Sequence, residues 1–245
     1  MDDIFFYKND SDQNQNCIKI RFNKKNYYIH NFQHLLHKNN VENILRYGIL
    51  SHNEAYKRGL IKQDISMKEI QDRREFKYIK DTNIKLHDCA SLYFQVKNPM
   101  LFKRKDIQDD LVVLFVNPEV IYQPNVYFTD GNAGADKTRF YKEIDNLFFL
   151  DLELILKQKT WAVNEPYLGS EEVKIIQAET RRKRCAEVLV FPSIDIKYIT
   201  QIICPNESSK YFISEIFLKN EFMNFSSKIE VVIDTNKKYF FNTLN

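Results

Sequence analysis

The sequence predicts an α+β fold in which a central mixed or antiparallel sheet is flanked by helices. Helical patterns cluster early in the 245-residue chain and strand patterns late, at irregular spacing, whereas a parallel α/β sheet would alternate the two. The chain has 5 glycines and contains neither GxGxxG nor GxxxxGK(S/T), which argues against a classical dinucleotide fold or a P-loop. Hydrophobic residues make up 44 % and charged residues 28 %, as in an ordinary globular protein with a substantial core.

The first elements form a hairpin. Alternation in CIKIRF predicts a strand, NKKN predicts a turn, and YYIHNF predicts a strand that pairs back. We therefore treat residues 1–31 as an N-terminal extension and residues 32–245 as the main domain.

Two helices follow the hairpin. HKNNVENILRYGIL has Asn39 or Asn40 as its N-cap, carries an apolar stripe, and ends at Gly48. SMKEIQDRREFKYIK is the second helix, in which Ser66 and Glu69 have the spacing of a capping box.

Strands dominate the rest of the chain. ASLYFQV predicts a strand that NPML ends, LVVLFV a central strand, and YFTDGNAGADKT a loop rich in turn residues. KTRFYKEIDNLFFLDLELILKQ predicts a helix with Asp136 as N-cap, and a mixed loop leads to the basic run 181–184. Residues 186–191 and YITQIIC predict strands, SSKYFISEIFLK a helix, and KIEVVI a last strand.

One acid stands out within the strand at 186–191. By strand alternation, Glu187 shares a face with Leu189 and Phe191. A surface glutamate paired with Arg182 or Arg184 would be the ordinary interpretation. An acid inside an apolar run, however, needs partners or a function.

Two other polar groups are candidates for a site. Arg73 and Arg74 diverge by about 100° on their helix, so a solvated face accounts for one of them better than for both. His34 and His37 have no third ligand at a matching spacing, so a metal site is not expected. The histidines do lead into a capped helix, a place where backbone groups often bind ligands.

The ordered set of these segments resembles the DarT family of bacterial DNA ADP-ribosyltransferase toxins. HLLHKNNVENILRYGIL, IQDRREF, LYFQVKNPMLF, FTD, RFY and RRKRCAEVLVF follow one another in the family's order, over roughly residues 32–205. Each motif alone is weak, and the ordered set is specific. The resemblance implies an ADP-ribosyltransferase-like fold.

The resemblance also implies roles for individual residues. Glu187 matches the catalytic glutamate and Arg74 the essential arginine of the family. The residues that match positions holding NAD, or lining its cleft, are His34, His37, Asn40 and Tyr93. The loop 127–139 matches the substrate loop, whereas residues 1–31 and 157–178 are additions, and QHLLH departs from the family's pattern around the first histidine.

The chemistry that the resemblance implies suits these residue types. A carboxylate stabilises the positive charge that develops on ribose when nicotinamide leaves, and the planar fork of an arginine suits a pyrophosphate. Cations that can contact nucleic-acid phosphates are Lys137, Arg139, Arg181 and Arg182. Aromatic residues of 127–141 can stack an unpaired base, and a single-stranded substrate avoids the cost of extruding one.

The expected function is therefore transfer of ADP-ribose from NAD to a nucleobase of single-stranded DNA, as a toxin. The expected partners are single-stranded DNA and a DarG-like macrodomain antitoxin. An RNA or protein acceptor is one alternative, and a non-catalytic nucleic-acid-binding relative is another. The net charge of +3 permits a polyanionic partner without requiring one.

The sequence also carries an expectation about location. No apolar run approaches the ~18 residues of a membrane span, and the start lacks the apolar core of a secretory signal. The four cysteines form neither CxxC pairs nor a disulfide framework. We expect a cytoplasmic protein with reduced thiols, and no association with a membrane.

Overall fold

The computed structural model describes residues 2–7, 16–163, 167 and 169–242. The chain begins with an antiparallel three-stranded sheet of β1 (Asp3–Tyr7), β2 (Cys17–Phe22) and β3 (Lys25–Ile29). The predicted hairpin is confirmed, and its two turn residues both have positive φ, as hairpin turns of two residues require. Ile18, Ile20 and Ile29 of this sheet belong to the main hydrophobic core, so residues 16–31 pack as part of one body.

Ten further strands follow in chain order: β4 (Phe32–His37), β5 (Ile49–Leu50), β6 (Ala90–Tyr93), β7 (Leu111–Val116), β8 (Val126–Thr129), β9 (Phe140–Tyr141), β10 (Glu187–Val190), β11 (Ser193–Ile194), β12 (Ile199–Cys204) and β13 (Glu230–Ile233). The α-helices among them are α1 (Val41–Tyr47), α2 (His52–Lys57), α3 (Lys68–Glu75), α4 (Pro99–Phe102), α5 (Ser170–Arg184) and α6 (Glu207–Phe217). None of these helices has the length and apolar character needed to cross a bilayer.

A mixed eight-stranded sheet organises the described part of the chain. Its order is β13-β12-β7-β4-β6-β10-β8-β9, with β12 and β13 parallel and the other neighbours antiparallel. β7, the LVVLFV strand, is buried along its whole length because both faces of the sheet are covered. The predicted central mixed sheet is confirmed.

The sheet opens at one place. β4 and β6 pair only through Gln33 and Tyr93, and the remainder of β4 pairs with β7 alone. On its other side Tyr93 lies opposite Glu187 of β10. The opening between β4 and β6 therefore begins one strand away from the buried acid.

The helix predicted for residues 137–158 is wrong. This segment contains the short edge strand β9, a 3₁₀ turn at Ile144–Phe149 and one π turn at Glu153–Lys157. Pairing of Phe140 and Tyr141 with β8 overrides the helical pattern. Asp136, the predicted N-cap, instead pairs with Lys77.

The predictions for two other helices also need correction. The basic run 181–184, predicted to lie between a loop and a strand, is the last turn of α5, where cations favour the helix dipole. The first turn of α5 carries Glu171 and Glu172, which complement the dipole at the other end. The predicted capping box of the second helix is absent, because α3 begins after Met67 and Ser66 bonds to Asp64.

Candidate active site

The buried acid forms an ion pair with the second arginine of IQDRREF. Glu187 begins β10 and is 1 % exposed, and Arg74 on α3 is 8 % exposed. The Nη1 of Arg74 lies 3.0 Å from both carboxylate oxygens of Glu187. Burial disfavours the charge on Arg74, but Glu187 outweighs it and raises the pKa of the guanidinium. Arg73, by contrast, is exposed and bonds to the carbonyl of Glu69 on its own helix.

The turn-rich loop supplies a further donor to the acid. The backbone N–H of Ala133 donates to Oε1 of Glu187 at 2.8 Å. The backbone N–H of Glu187 donates to Oγ1 of Thr129 at 2.9 Å, and that hydroxyl donates to the carbonyl of Gly131 at 2.7 Å. Side chain and backbone of Glu187 are thus both held by the segment 129–133.

Arg182 anchors this loop. Its guanidinium lies 2.7 Å from Asp130, 2.7 Å from Glu179 and 3.0 Å from the hydroxyl of Thr138. The hydrogen bonds that Arg182 donates to Glu179 and Asp130, together with the negative charges of both carboxylates, raise the pKa of its guanidinium despite burial. Its side chain is 10 % exposed, so Arg182 is engaged within the protein rather than available to a phosphate.

The remaining cations of the basic run differ in their surroundings. Lys183 pairs with Asp151 at 3.3 Å. Arg184 is 5 % exposed and donates to the carbonyls of Leu154 and Ile155, and burial lowers its pKa. Arg181 is exposed. Of the two cations of this run expected to contact phosphates, Arg181 is therefore accessible, whereas Arg182 is engaged within the protein.

A cleft lies against the opening between β4 and β6. Its walls come from β4, α1, α2, α3 and β6, and among its lining residues are Arg74, His34, Tyr93 and Asn40. Nδ1 of His34 lies 2.9 Å from the carbonyl oxygen of Ser91, and burial lowers the pKa of His34. Burial also raises the pKa of Tyr93, so both rings are neutral at pH ~7.

Two of the residues expected to contact NAD, Asn40 and His37, have their polar groups engaged by the protein itself. The amide of Asn40 is engaged inside the protein, because it donates to the carbonyl of Gln63 at 2.6 Å and accepts from the N–H groups of Lys62 and Gln63. His37 is not among the lining residues of the cleft, and its Nδ1 accepts from the N–H of Asn39 at 3.2 Å. Positions three apart on a strand face opposite sides, which separates His34 from His37.

Sequence reasoning missed a pair of stacked histidines on the cleft wall. The rings of His52 and His87 lie 4.2 Å apart, and Nε2 of His87 is 2.8 Å from Oε1 of Gln71. Burial, then the neighbouring His52 and Arg74, lower the pKa of His87 to about 4. The two histidines are 35 positions apart and no spacing rule joins them, but Gln71 precedes Arg74 by three and so shares its helix face.

The other candidates for nucleic-acid contact lie on the loop. Lys137 and Arg139 are exposed. Tyr127 and Phe128 are 5 % and 1 % exposed, so these two aromatic residues of the 127–141 segment have no free face for a base. Among the residues described, no group of His, Cys, Asp and Glu is arranged to hold a metal ion.

Comparisons with known proteins agree with this arrangement. A family model described as DarT, ssDNA thymidine ADP-ribosyltransferase, matches residues 33–241. A DNA ADP-ribosyl transferase–DNA ADP-ribosyl glycohydrolase fusion protein of Thermosipho africanus is 30 % identical over 178 residues. The match covers 69 % of this chain and 41 % of that relative, so the chain spans less than half of the relative's length.

Solved structures share the fold. Thermus sp. 2.9 DarT in complex with ADP-ribosylated ssDNA has a TM-score of 0.70 at 23 % identity, covering 86 % of this chain and 95 % of that one. Thermus sp. 2.9 DarT in complex with NAD+ has a TM-score of 0.67 at 21 % identity, covering 86 % and 96 %. The ADP-ribosyltransferase-like fold expected from the sequence is confirmed.

Proposed function

The chain belongs to the DarT family of single-stranded DNA thymidine ADP-ribosyltransferases, and we propose that it transfers ADP-ribose from NAD to thymine in single-stranded DNA. The observation that carries this proposal is the buried Glu187, held by Arg74 and by the N–H of Ala133 beside an open cleft. A carboxylate so placed has little value for stability alone, because burying a charge costs free energy even when it is paired.

The reaction requires a carboxylate and no metal. NAD, when bound in the cleft, supplies the ADP-ribosyl group. The bond from ribose to nicotinamide breaks, its electron pair leaves with nicotinamide, and a new bond joins the ribose carbon to thymine, whose proton is released to solvent. In our proposal Glu187 stabilises the positive charge that develops on the ribose, and its Oε2 orients the acceptor once Arg74 has turned away from the carboxylate.

Arg74 controls access to this acid. It lines the cleft, whereas Glu187 lies behind it and is 1 % exposed. The guanidinium must therefore turn from the carboxylate toward the substrates before the acid meets them. A pyrophosphate or a base carbonyl can take the place of the carboxylate as its acceptor.

Several residues of the cleft wall can contact NAD. We assign His34 and Tyr93 to the wall that contacts NAD, because both line the cleft and both are neutral. Asn40 also lines the cleft, and we assign it to holding the segment 62–63, whose neighbours Ile61 and Asp64 line the same cleft. We leave His37 out of the NAD site.

For the nucleic acid we assign Lys137, Arg139 and Arg181 to phosphates, since all three are exposed. Arg182 positions the loop instead. We further propose that residues 1–31 are an addition to the family's domain, which is supported by a family match that begins at residue 33.

The partner and the location belong to the same proposal. The relative from Thermosipho africanus joins a DNA ADP-ribosyl transferase to a DNA ADP-ribosyl glycohydrolase in one chain. We therefore assign a DarG-like macrodomain antitoxin as the partner that removes the modification. We place the protein in the cytoplasm, where its substrates NAD and single-stranded DNA occur.

The test is incubation of the purified chain with NAD and matched oligonucleotides. Thymine-containing DNA should gain the mass of ADP-ribose and release nicotinamide, whereas DNA without thymine and uracil-containing RNA should not. Glu187→Gln should lose both products. Modification of RNA, or of the protein alone, would move the acceptor to one of the alternative classes, and a chain that never consumes NAD would be a non-catalytic relative.

A further inference from the structure

Two aromatic residues that follow Arg74 within four positions, Phe76 and Tyr78, have exposed side chains. Phe76, where α3 ends, is 75 % exposed, and Tyr78 is 51 % exposed. Exposure alternates along this segment, since the side chain of Lys77 is 26 % exposed and Ile79 is 1 % exposed. Both rings therefore lie on the solvent side of a segment whose other side chains face the protein.

This segment is fastened to the loop that holds the acid. Nζ of Lys77 lies 3.0 Å from the carbonyl of Gly134 and 2.6 Å from Asp136. Ile79 packs in the same apolar cluster as Ala133, whose N–H donates to Glu187. The positions of the two rings are thus fixed relative to the carboxylate by a few direct contacts.

The segment is also fastened on its other side. Tyr78 forms a β-bridge with Lys85, the N–H of Leu86 donates to the carbonyl of Lys77 at 2.9 Å, and the N–H of Ile79 donates to the carbonyl of Ile84 at 2.9 Å. A backbone held from both sides presents the rings as a preformed surface, which lowers the entropy lost when a ligand stacks on them.

Charges of both signs surround the two rings. Nζ of Lys85 lies 5.7 Å from the centroid of the Tyr78 ring, and Arg73 and Lys80 are exposed nearby in the chain. The acids Glu75 and Asp81 are also exposed in this stretch, so the surface is mixed rather than strongly basic. The rings, not the net charge, therefore distinguish it.

We propose that Phe76 and Tyr78 form a stacking surface for the unpaired bases next to the base that is modified. The proposal rests on the proposed function and adds to it the residues that hold the flanking nucleotides. Single-stranded nucleic acid is bound by aromatic faces set beside cations, because every base has a π-face and the backbone needs positive charge. Exposed rings occur elsewhere on the chain, as at Tyr211, and Phe76 and Tyr78 differ from it because their segment is tied to the loop that holds Glu187.

The position favours DNA over a protein partner. Phe76 follows Arg74 by two positions in the chain. Lys77, the next residue, bonds to the carbonyl of Gly134 in the loop that matches the substrate loop. A base that enters the cleft brings its neighbours to this surface. A partner protein docked here would block the substrate instead.

The experiment compares Phe76→Ala and Tyr78→Ala with the wild type on two oligonucleotides. One is single-stranded DNA of about 16 nucleotides, the upper end of common site sizes, and the other carries abasic positions on both sides of the target thymine. Tyr78→Phe keeps the ring and tests for rescue. Tyr211→Ala on α6, whose side chain is 69 % exposed, is the matched control.

On intact DNA we expect each alanine variant to raise the KM for oligonucleotide by about 5- to 150-fold, the range of single stacking contacts, with a smaller change in kcat. On abasic DNA the wild type should fall to the level of the variants. Tyr78→Phe and Tyr211→Ala should match the wild type on both oligonucleotides.

Binding measured without NAD separates this inference from the proposed function. Anisotropy of a labelled oligonucleotide should show the same loss in both alanine variants, even if transfer were to fail in every protein. If the wild type modifies DNA and the alanine variants bind and react as it does, the stacking surface is disproved while the function stands. Equal penalties on intact and abasic DNA would likewise overturn it, since the loss would then not come from bases.

Discussion

Replacing Arg74 and Glu187 together is expected to destabilise the protein by less than the sum of the two single replacements. Arg74→Met removes the counter-charge of Glu187, whose side chain is buried. Among the described contacts, the backbone N–H of Ala133 is then the one hydrogen-bond donor left to the carboxylate. Glu187→Gln keeps the shape but leaves the guanidinium of Arg74, 8 % exposed, without its counter-charge.

The magnitude follows from the burial of both partners. Removing one member of a buried ion pair costs about 3–5 kcal/mol, because the other charge remains uncompensated. For a chain of this size that corresponds to a fall in Tm of roughly 6–20 °C. The double variant Arg74→Met, Glu187→Gln contains no unpaired charge, so its loss should fall short of the sum of the single losses by about 2–3 kcal/mol.

Urea unfolding of the four proteins measures this coupling, provided that the slope of free energy against urea stays constant. Lys174→Met is the matched control, because Lys174 and Glu171 form an ion pair whose side chains are 71 % and 78 % exposed. That variant should change the free energy of unfolding by less than about 0.5 kcal/mol. Additive losses in the double variant, or single losses as small as the control's, would refute the argument from burial.

Three further predictions follow from the surroundings of the acid. Gly131→Ala should lower kcat at little change in the KM for NAD, since the added Cβ would meet the backbone oxygen of Arg182 at 2.9 Å and displace the loop; kinetics like those of the wild type would contradict it. Arg181→Ala should reduce the salt slope of single-stranded DNA binding by about 0.7, the share of one phosphate contact, whereas an unchanged slope would mean that Arg181 contacts no phosphate. His87→Phe should flatten the pH dependence of the free energy of unfolding. In the wild type the pKa of His87 is about 4 in the folded protein and about 6.5 in the unfolded chain, so the unfolded chain takes up the proton first as the pH falls. The wild type should therefore lose up to about 3 kcal/mol of stability between pH ~7 and ~4. Urea midpoints across that pH range decide it, and equal slopes for variant and wild type would place the titration elsewhere.

The sequence predicts the strands of this fold better than the segments between them. β7, β10, β12 and β13 are short apolar runs, and each becomes a strand because its side chains match a sheet covered on both faces. The segment 137–158 has apolar side chains at helical spacing, but pairing of β9 with β8 decides the conformation of its first part, and such a long-range contact leaves no trace in local spacing.

The candidate site shows the same division. Alternation marks Glu187 as an acid among core residues, and the family resemblance names Arg74 as its companion. The contact itself joins residues 113 positions apart, and no periodicity connects them. The sequence also does not show how deeply Glu187 is buried. If Glu187 were exposed, its replacement by alanine would have little effect on folding. Because it is buried with Arg74, we expect that replacement to destabilise the protein.

One residue of the basic run at the end of α5, Arg182, acts on the acid through the loop that holds it. Arg182 fixes Asp130 and Thr138 at the two ends of the loop, and the loop in turn aims the N–H of Ala133 at the carboxylate. Lys77 holds the same loop from the side of α3, through Gly134. Because a donor displaced by even 1 Å loses much of its effect on a charged group, the proposed transfer should depend on Arg182 and Lys77 through the loop that they hold. Replacing Arg182 should therefore lower the activity and leave the salt slope of DNA binding unchanged. A phosphate contact would instead reduce that slope, so the two measurements together distinguish a residue that holds the loop from one that binds DNA.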